Sequence, residues 1–205
     1  MYYTQIIFDP ANGHTIRIMD DVYKQHRFIM FGFKNYSAQQ VGRVLYRIEI
    51  TDEGSLSAIV QSIVPPTYDT GFLHSGIIAA TSRKHVLFAG HAEPEFNSGV
   101  TYHFRLRANT VVTREGKRIG LVDEEALRKW FEERTESIGV SHQGYDVVDE
   151  GYLRGDKNGN NIMFKIARYE GTLIIRDGKR FSAAFVGGFG HAKGFGCGLI
   201  SLARA

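Results

Sequence analysis

Ala92-Glu93-Pro94-Glu95-Phe96-Asn97-Ser98-Gly99 lies near the middle of the 205-residue chain and reads as a linker. It is mostly polar and holds both a proline and a glycine, the strongest punctuators of regular structure. The same order of elements can be read on either side of it. Before it, residues 2–8 are rich in β-formers and predict a strand, and Asp20 and Asp21 can cap a helix from Val22 to about Phe33. Residues 43–50 and 56–64 alternate as two strands joined by the Asp52-Glu53-Gly54 turn, and Pro65-Pro66 stops the second. Residues 72–80 predict a short helix and 85–89 a further strand. After the linker, 101–108 predicts a strand and 123–138 a helix, in which Leu127, Trp130, Phe131, Arg134 and Ile138 recur at helical spacing behind acidic residues. Strands are expected at 140–153 and 162–175 around the turn-rich Gly155-Asp156-Lys157-Asn158-Gly159-Asn160, followed by a short helix at 179–186 and a last strand at 199–203. Two β-α-β-β-α-β runs in tandem predict an α+β protein of two ferredoxin-like (RRM-like) domains, 1–97 and 98–205.

Composition bounds the function. The chain is 43% hydrophobic and 23% charged, which suits a soluble globular protein with ordinary cores. No apolar run approaches the roughly 18–20 residues of a membrane span, and Met1-Tyr2-Tyr3-Thr4-Gln5 has no basic leader region, so no membrane association is expected. A single cysteine, Cys197, rules out an internal disulfide framework and fits a cytoplasmic protein. The net charge of +3 is uneven: residues 1–97 carry 8 Lys/Arg against 9 Asp/Glu, and residues 98–205 carry 17 against 13. A nucleic-acid-facing surface therefore draws mostly on the second half. The eight histidines are scattered, HExxH is absent and one cysteine cannot build a zinc ribbon, so no metal and no cofactor are expected.

Three segments can carry chemistry. Tyr23 and His26 stand three residues apart on the predicted first helix, which puts both on one face. Histidine can take or give a proton near neutral pH, and a neighbouring phenol can hydrogen-bond a reacting oxygen. The same spacing also fits a packed tyrosine and a histidine bonded to backbone. Arg27 adds a fork of donors suited to phosphate. In the strand His103-Phe104-Arg105-Leu106-Arg107-Ala108-Asn109, Arg105 and Arg107 share one face and the apolar residues the other, with Arg114, Lys117 and Arg118 just beyond. At the end, six glycines stand among residues 187–198 with Lys193 and His191 between them. That density fits a phosphate cradle of backbone N–H groups, or a turn into the last strand.

Taken together, Asp-x-Val-Tyr-x-x-His-Arg, Phe104-Arg105-Leu106-Arg107-Ala108-Asn109 with Gly116-Lys117-Arg118, and the terminal Gly-Phe-Gly-His-Ala-Lys-Gly-Phe-Gly-Cys-Gly-Leu-Ile-Ser-Leu-Ala resemble the CasE (Cse3) family, the CRISPR repeat-processing endoribonucleases of type I-E systems. The likeness is co-linear and spans nearly the whole chain. Two positions depart from the pattern: Thr110 stands where the family often has proline, and His191 where it more often has proline or arginine.

The resemblance implies tandem ferredoxin-like domains and metal-independent cleavage of CRISPR precursor RNA within the repeat stem-loop. The substrate's 2′-hydroxyl attacks the adjacent phosphorus and a 2′,3′-cyclic phosphate is left. It makes His26 and Tyr23 the expected catalytic pair, His26 as general base or general acid. Arg27, Arg105, Arg107, Lys117, Arg118 and Lys193 become the expected RNA-binding residues. The implied partners are the repeat RNA, which the protein keeps as product, and the other Cascade subunits. Two further readings remain open on the residues: a non-catalytic RNA-binding subunit of the same complex, and a small-molecule enzyme using the glycine loop, which would need a nucleotide motif the chain lacks.

Overall fold

The structure, a computed structural model, describes residues 1–51, 53–68, 76–84 and 94–205. The first run of elements is β1 (Tyr2–Phe8), α1 (Gly13–Met19), α2 (Val22–Phe31), α3 (Ala38–Val41), β2 (Leu45–Ile50), β3 (Leu56–Ser62) and β4 (Ile77–Lys84). The second is β5 (Thr101–Asn109), β6 (Val111–Arg114), β7 (Lys117–Gly120), α4 (Glu124–Ser137), β8 (Val140–Lys157), β9 (Asn160–Ile175), α5 (Gly178–Gly187) and β10 (Ile200–Arg204). The two sheets have the orders β2-β3-β1-β4 and β10-β5-β9-β8, and β6-β7 forms a separate ribbon. In each four-stranded sheet the spatial order of its strands is second, third, first, fourth. This is the ferredoxin-like arrangement, twice.

The chain divides into two compact units. One comprises Met1–Gly90, Arg154–Ile162 and Lys193–Gly196; the other comprises His91–Leu153, Met163–Ala192 and Cys197–Ala205. Two short stretches from late in the sequence thus pack with the first unit: the tip of the β8–β9 hairpin and part of the glycine-rich end.

In the first unit, β1 is central and pairs antiparallel with β3 and β4. Alternation sends Ile6 and Phe8 into a core with Phe28 and Ile29 of α2 and Tyr46 of β2, all at most 7% exposed. The helix expected at 72–80 is not formed at 77–80, where β4 runs instead; residues 72–75 and the strand expected at 85–89 lie outside the described residues. Ala79 and Ala80 favour a helix locally, but pairing of Ile77–Lys84 along the whole of β1 satisfies the backbone of both strands. Helix α1 was not legible: seven residues, started by the Asn12 side chain accepting from the N–H of His14 and Thr15, leave too short a period to read.

In the second unit, Phe104, Leu106 and Ala108 of β5 are buried and Arg105 and Arg107 point the other way. Asp123 caps α4 by accepting from the Ala126 N–H at 3.0 Å. The helix turns Leu127, Trp130 and Phe131 inward, and Phe131 lies between Phe104 (5.6 Å between centroids) and Tyr169 (4.5 Å). The stretch read as a linker is itself anchored: Phe96 is buried edge-on against Phe181 and Phe185 of α5, at 4.7 and 5.3 Å. Strands β8 and β9 run longer than expected because the turn between them tightens to Asn158-Gly159, both with positive φ, a two-residue hairpin turn. Among the described residues no helix is long and apolar enough to cross a membrane.

Candidate active site

Helix α2 is started by Asp21, whose carboxylate accepts from the N–H of Tyr23 at 2.7 Å and of Lys24 at 3.1 Å. Its other oxygen accepts from the N–H of Asp156, at the hairpin tip, at 3.1 Å. Burial pushes this carboxyl up, but the N–H groups of Asp156, Lys24 and Tyr23 and the charge of Lys24 outweigh it and hold Asp21 below the usual carboxylate range. The buried stripe Val22, Gln25, Phe28 and Ile29 sets the rotation of the helix. Tyr23 and His26 are thereby left half-buried on one face, their rings nearly parallel with centroids 6.5 Å apart. Arg27 is exposed on the same helix.

His26 is tied to the glycine-rich end. Lys193–Phe195 forms a 3₁₀ turn, and the Gly194 carbonyl accepts a hydrogen bond from the His26 ring. The same carbonyl accepts from the buried Tyr46 hydroxyl at 3.2 Å, and the Phe195 ring lies 5.7 Å from the imidazole. Gly196 has φ +79° and an added Cβ would stand 3.4 Å from the Tyr46 ring, so a glycine is needed there to turn the chain out. Lys193 begins this turn. Burial, and then the charge of Arg43, hold its ammonium pKa below the ordinary lysine value. Burial also lowers the His26 pKa, and the Lys157 charge adds to that against the opposing bond to Gly194. The net effect favours the neutral imidazole. A neutral ring that donates one N–H to Gly194 keeps a lone pair on its other nitrogen.

The hairpin tip completes the site. Lys157 Nζ lies over the Tyr23 ring, 5.9 Å from its centroid. Gly155 is pressed onto the start of α2: a Cβ there would meet Asp21 Oδ1 at 2.6 Å and the Tyr23 backbone nitrogen at 3.0 Å. The sequence marks Asp21 as a cap of this helix, as the structure has it, but not as the seat of the hairpin tip, and it gives Gly155 and Lys157 no place in the site. Gly155 and Lys157 fall in a stretch whose composition says only that the chain turns, and nothing local tells that the turn meets a helix 130 residues earlier.

Arg105, Arg107, Lys117 and Arg118 belong to the second unit. On the β5–β9–β8 surface Arg105 pairs with Glu170 at 2.5 Å and Arg107 with Glu150 at 2.5 Å, while Arg168 bridges both glutamates. The result is a ladder of alternating sign. Lys117 and Arg118 are exposed on the β6–β7 ribbon with Arg114 opposite Lys117, turning at Glu115-Gly116. Cys197 is fully buried and its thiol is pushed up to about 12, chiefly by burial, so it is a poor nucleophile. His191 is exposed. Among the described residues no three His, Cys, Asp or Glu side chains are grouped so as to hold a metal ion.

Against known proteins, the chain is 25% identical to the CRISPR-associated endoribonuclease Cse3 of Thermus thermophilus, over 99% of this chain and 100% of that one. It is 27% identical to the CRISPR system Cascade subunit CasE of Escherichia coli, over 58% and 65% of the two chains. The fold matches a solved structure of Thermus thermophilus Cse3 bound to an RNA representing a pre-cleavage complex, with a TM-score of 0.80 at 24% identity, covering 99% of this chain and 98% of that one. The model of the CRISPR associated protein family matches residues 1–204, and the chain belongs to that family.

Proposed function

We propose that the protein is a metal-independent endoribonuclease that cuts CRISPR precursor RNA within the repeat stem-loop and stays with its product as a Cascade subunit. The relatives' names, endoribonuclease and Cascade subunit, support the activity and the assembly. The observation that carries the reading is the α2 site: a half-buried His26 whose ring is bonded to Gly194, Tyr23 beside it on the same face, and Lys157 over Tyr23. The single cysteine fits a cytoplasmic setting.

In this reading the 2′-oxygen bonds to the adjacent phosphorus and the bond from phosphorus to the 5′-oxygen breaks. The products are a 2′,3′-cyclic phosphate and a 5′-hydroxyl. The nucleophile is already tethered to the phosphorus, so alignment supplies much of the rate. The lone pair of His26 suits it to take the 2′-hydroxyl proton, solvent water gives the departing 5′-oxygen the proton that makes it a hydroxyl, and the Tyr23 hydroxyl hydrogen-bonds a reacting oxygen. Lys157 offsets the negative charge that grows on the phosphoryl oxygens. Arg27 and Lys193 hold phosphates next to the cut. Arg105, Arg107, Lys117 and Arg118 hold phosphates along the stem, positioning the RNA without reading its sequence.

The test is incubation with a repeat hairpin in EDTA. Cleavage to a cyclic phosphate and a 5′-hydroxyl is expected. Tight binding without cleavage would leave the RNA-binding subunit without the enzyme, and neither binding nor cleavage would sink the proposal.

A further inference from the structure

A groove of about 560 Å³ runs between α1 and α2 in the first unit. Its apolar lining is Ile18, Phe28 and Phe31, and its cationic lining includes Arg17, Lys24 and Arg27. Among the described residues no carboxylate lines it. Phe31 exposes 43% of its surface, and all three of those cations are exposed. Lys34 adds a fourth, 4.6 Å from the centre of the Phe31 ring. An exposed aromatic ring among cations, with no carboxylate among the described lining residues, defines a site with two demands: flat apolar surface and negative charge.

The groove and the Tyr23/His26 site share helix α2. Lys24 and Arg27 each follow a member of the Tyr23/His26 pair by one residue, which carries the chain about 100° around the helix. A strand held at Tyr23 and His26 that continues around α2 meets these two cations first and Phe31, one turn beyond Arg27, next. A single-stranded RNA satisfies both demands at once, because each nucleotide brings one π-face and one phosphate at a fixed spacing. An acidic amphipathic protein segment could satisfy them only with carboxylates matched to each cation, and it would have no reason to adjoin the scissile position.

We propose that the α1–α2 groove takes the single-stranded RNA that runs past the scissile phosphate, away from the stem, with a base stacked on Phe31 and phosphates on Arg17 and Arg27. This rests on Tyr23 and His26 marking the cleavage point. The groove then recognises the unpaired flank of a long precursor and distinguishes precursor from trimmed product, which lacks that flank.

The experiment uses two repeat hairpins with a 2′-deoxy nucleotide at the scissile position, one ending just past it and one extended there by several unpaired nucleotides. Wild-type protein binds the extended RNA about tenfold tighter, the worth of roughly one stacked base. Phe31→Ala removes most of that gain, Phe31→Tyr restores it, and Arg17→Ala lowers the salt dependence of the extended RNA alone. Equal wild-type affinity for the two RNAs overturns the proposal, as does a Phe31→Ala loss that is the same on both. A Phe31→Ala protein that binds both RNAs normally but no longer joins its partner subunits makes the groove a protein-docking surface and also overturns it. Cleavage of the all-ribose hairpin by wild type, and its dependence on His26, are read separately and report on the cleavage site itself.

Discussion

Two basic surfaces of this molecule are built on opposite principles. On the β5–β9–β8 face, Arg105, Arg107 and Arg168 are interleaved with Glu170 and Glu150, and each arginine is held by a carboxylate. Around α2, Lys24 and Arg27 are exposed, Lys157 lies over the Tyr23 ring, and the Asp21 carboxylate accepts from three backbone N–H groups. The first surface is a structural brace that a phosphate must break into. The second presents charge that a phosphate can meet directly. Counting arginines and lysines along the sequence assigns the greater basicity to the second half, whereas pairing makes the cations of α2 the more available.

The sharpest way to test that contrast is to remove chemistry without removing charge. His26→Ala is expected to lower the cleavage rate by about 10²–10⁴-fold while RNA affinity stays near wild type. Single-turnover cleavage and a binding titration on the same RNA separate the two effects. A variant that cuts at the wild-type rate would remove His26 from the mechanism. The rate should also fall as pH drops through the lowered pKa of His26, because protonation removes the lone pair that takes the 2′-hydroxyl proton.

Moving one cation is the next largest change. Lys157→Ala should slow cleavage by about tenfold, less than a fully enclosed donor would cost because Lys157 is exposed. It should also raise the His26 pKa, since the Lys157 charge is one of the two causes holding it down, burial being the larger. The acid limb of the rate profile and the imidazole titration by NMR should both move to higher pH. Gly155→Ala makes the same prediction by geometry alone: a Cβ 2.6 Å from Asp21 Oδ1 lifts the hairpin tip off α2 and carries Lys157 with it. If Gly155→Ala slows cleavage while Lys157→Ala does not, the tip acts by shape rather than charge.

How much of this was legible in the sequence follows the same divide. The period-2 and period-3.6 patterns located β1, α2, α4 and most of the second sheet, because those elements bury one face each and the hydrophobic effect writes that into spacing. The Tyr23/His26 pair was readable for the same reason, being three residues apart on one helix. What pattern could not reach was anything decided by distant contact. Residues 77–80 became a strand because β1 needed a partner, and Phe96 left the linker because α5 offered an aromatic pocket. Lys157 and Gly194 entered the site from positions 131 and 168 residues beyond His26, through a hairpin and a loop whose compositions reported only turns. The ion-pair ladder was equally hidden: Glu150 and Glu170 lie on β8 and β9, and only the register of β5 against β9 brings Glu170 opposite Arg105.

The smallest predicted effects concern that ladder, and they probe the contrast from its other side. The Arg107 and Glu150 side chains are 15% and 18% exposed, so their pair is poorly hydrated and either partner left alone is costly. Arg107→Ala should therefore destabilise the fold by about 1–3 kcal/mol, the penalty for leaving a partly buried charge short of a partner. Its cost to RNA binding should be smaller than that fold penalty, because the ion pair to Glu150 already consumes much of the charge. Glu150→Gln costs similar stability but takes one carboxylate away from Arg107 and Arg168 and removes a negative charge from the surface. RNA affinity should then rise by a few-fold and its dependence on salt should steepen, since one more phosphate is neutralised for roughly 0.7–0.9 of a unit in the slope. Thermal melting and a salt titration of RNA binding measure the two quantities on the same protein. If Glu150→Gln leaves both affinity and slope at wild type, the arginines of β5 do not meet phosphate, and the interface belongs to the α2 site and the β6–β7 ribbon.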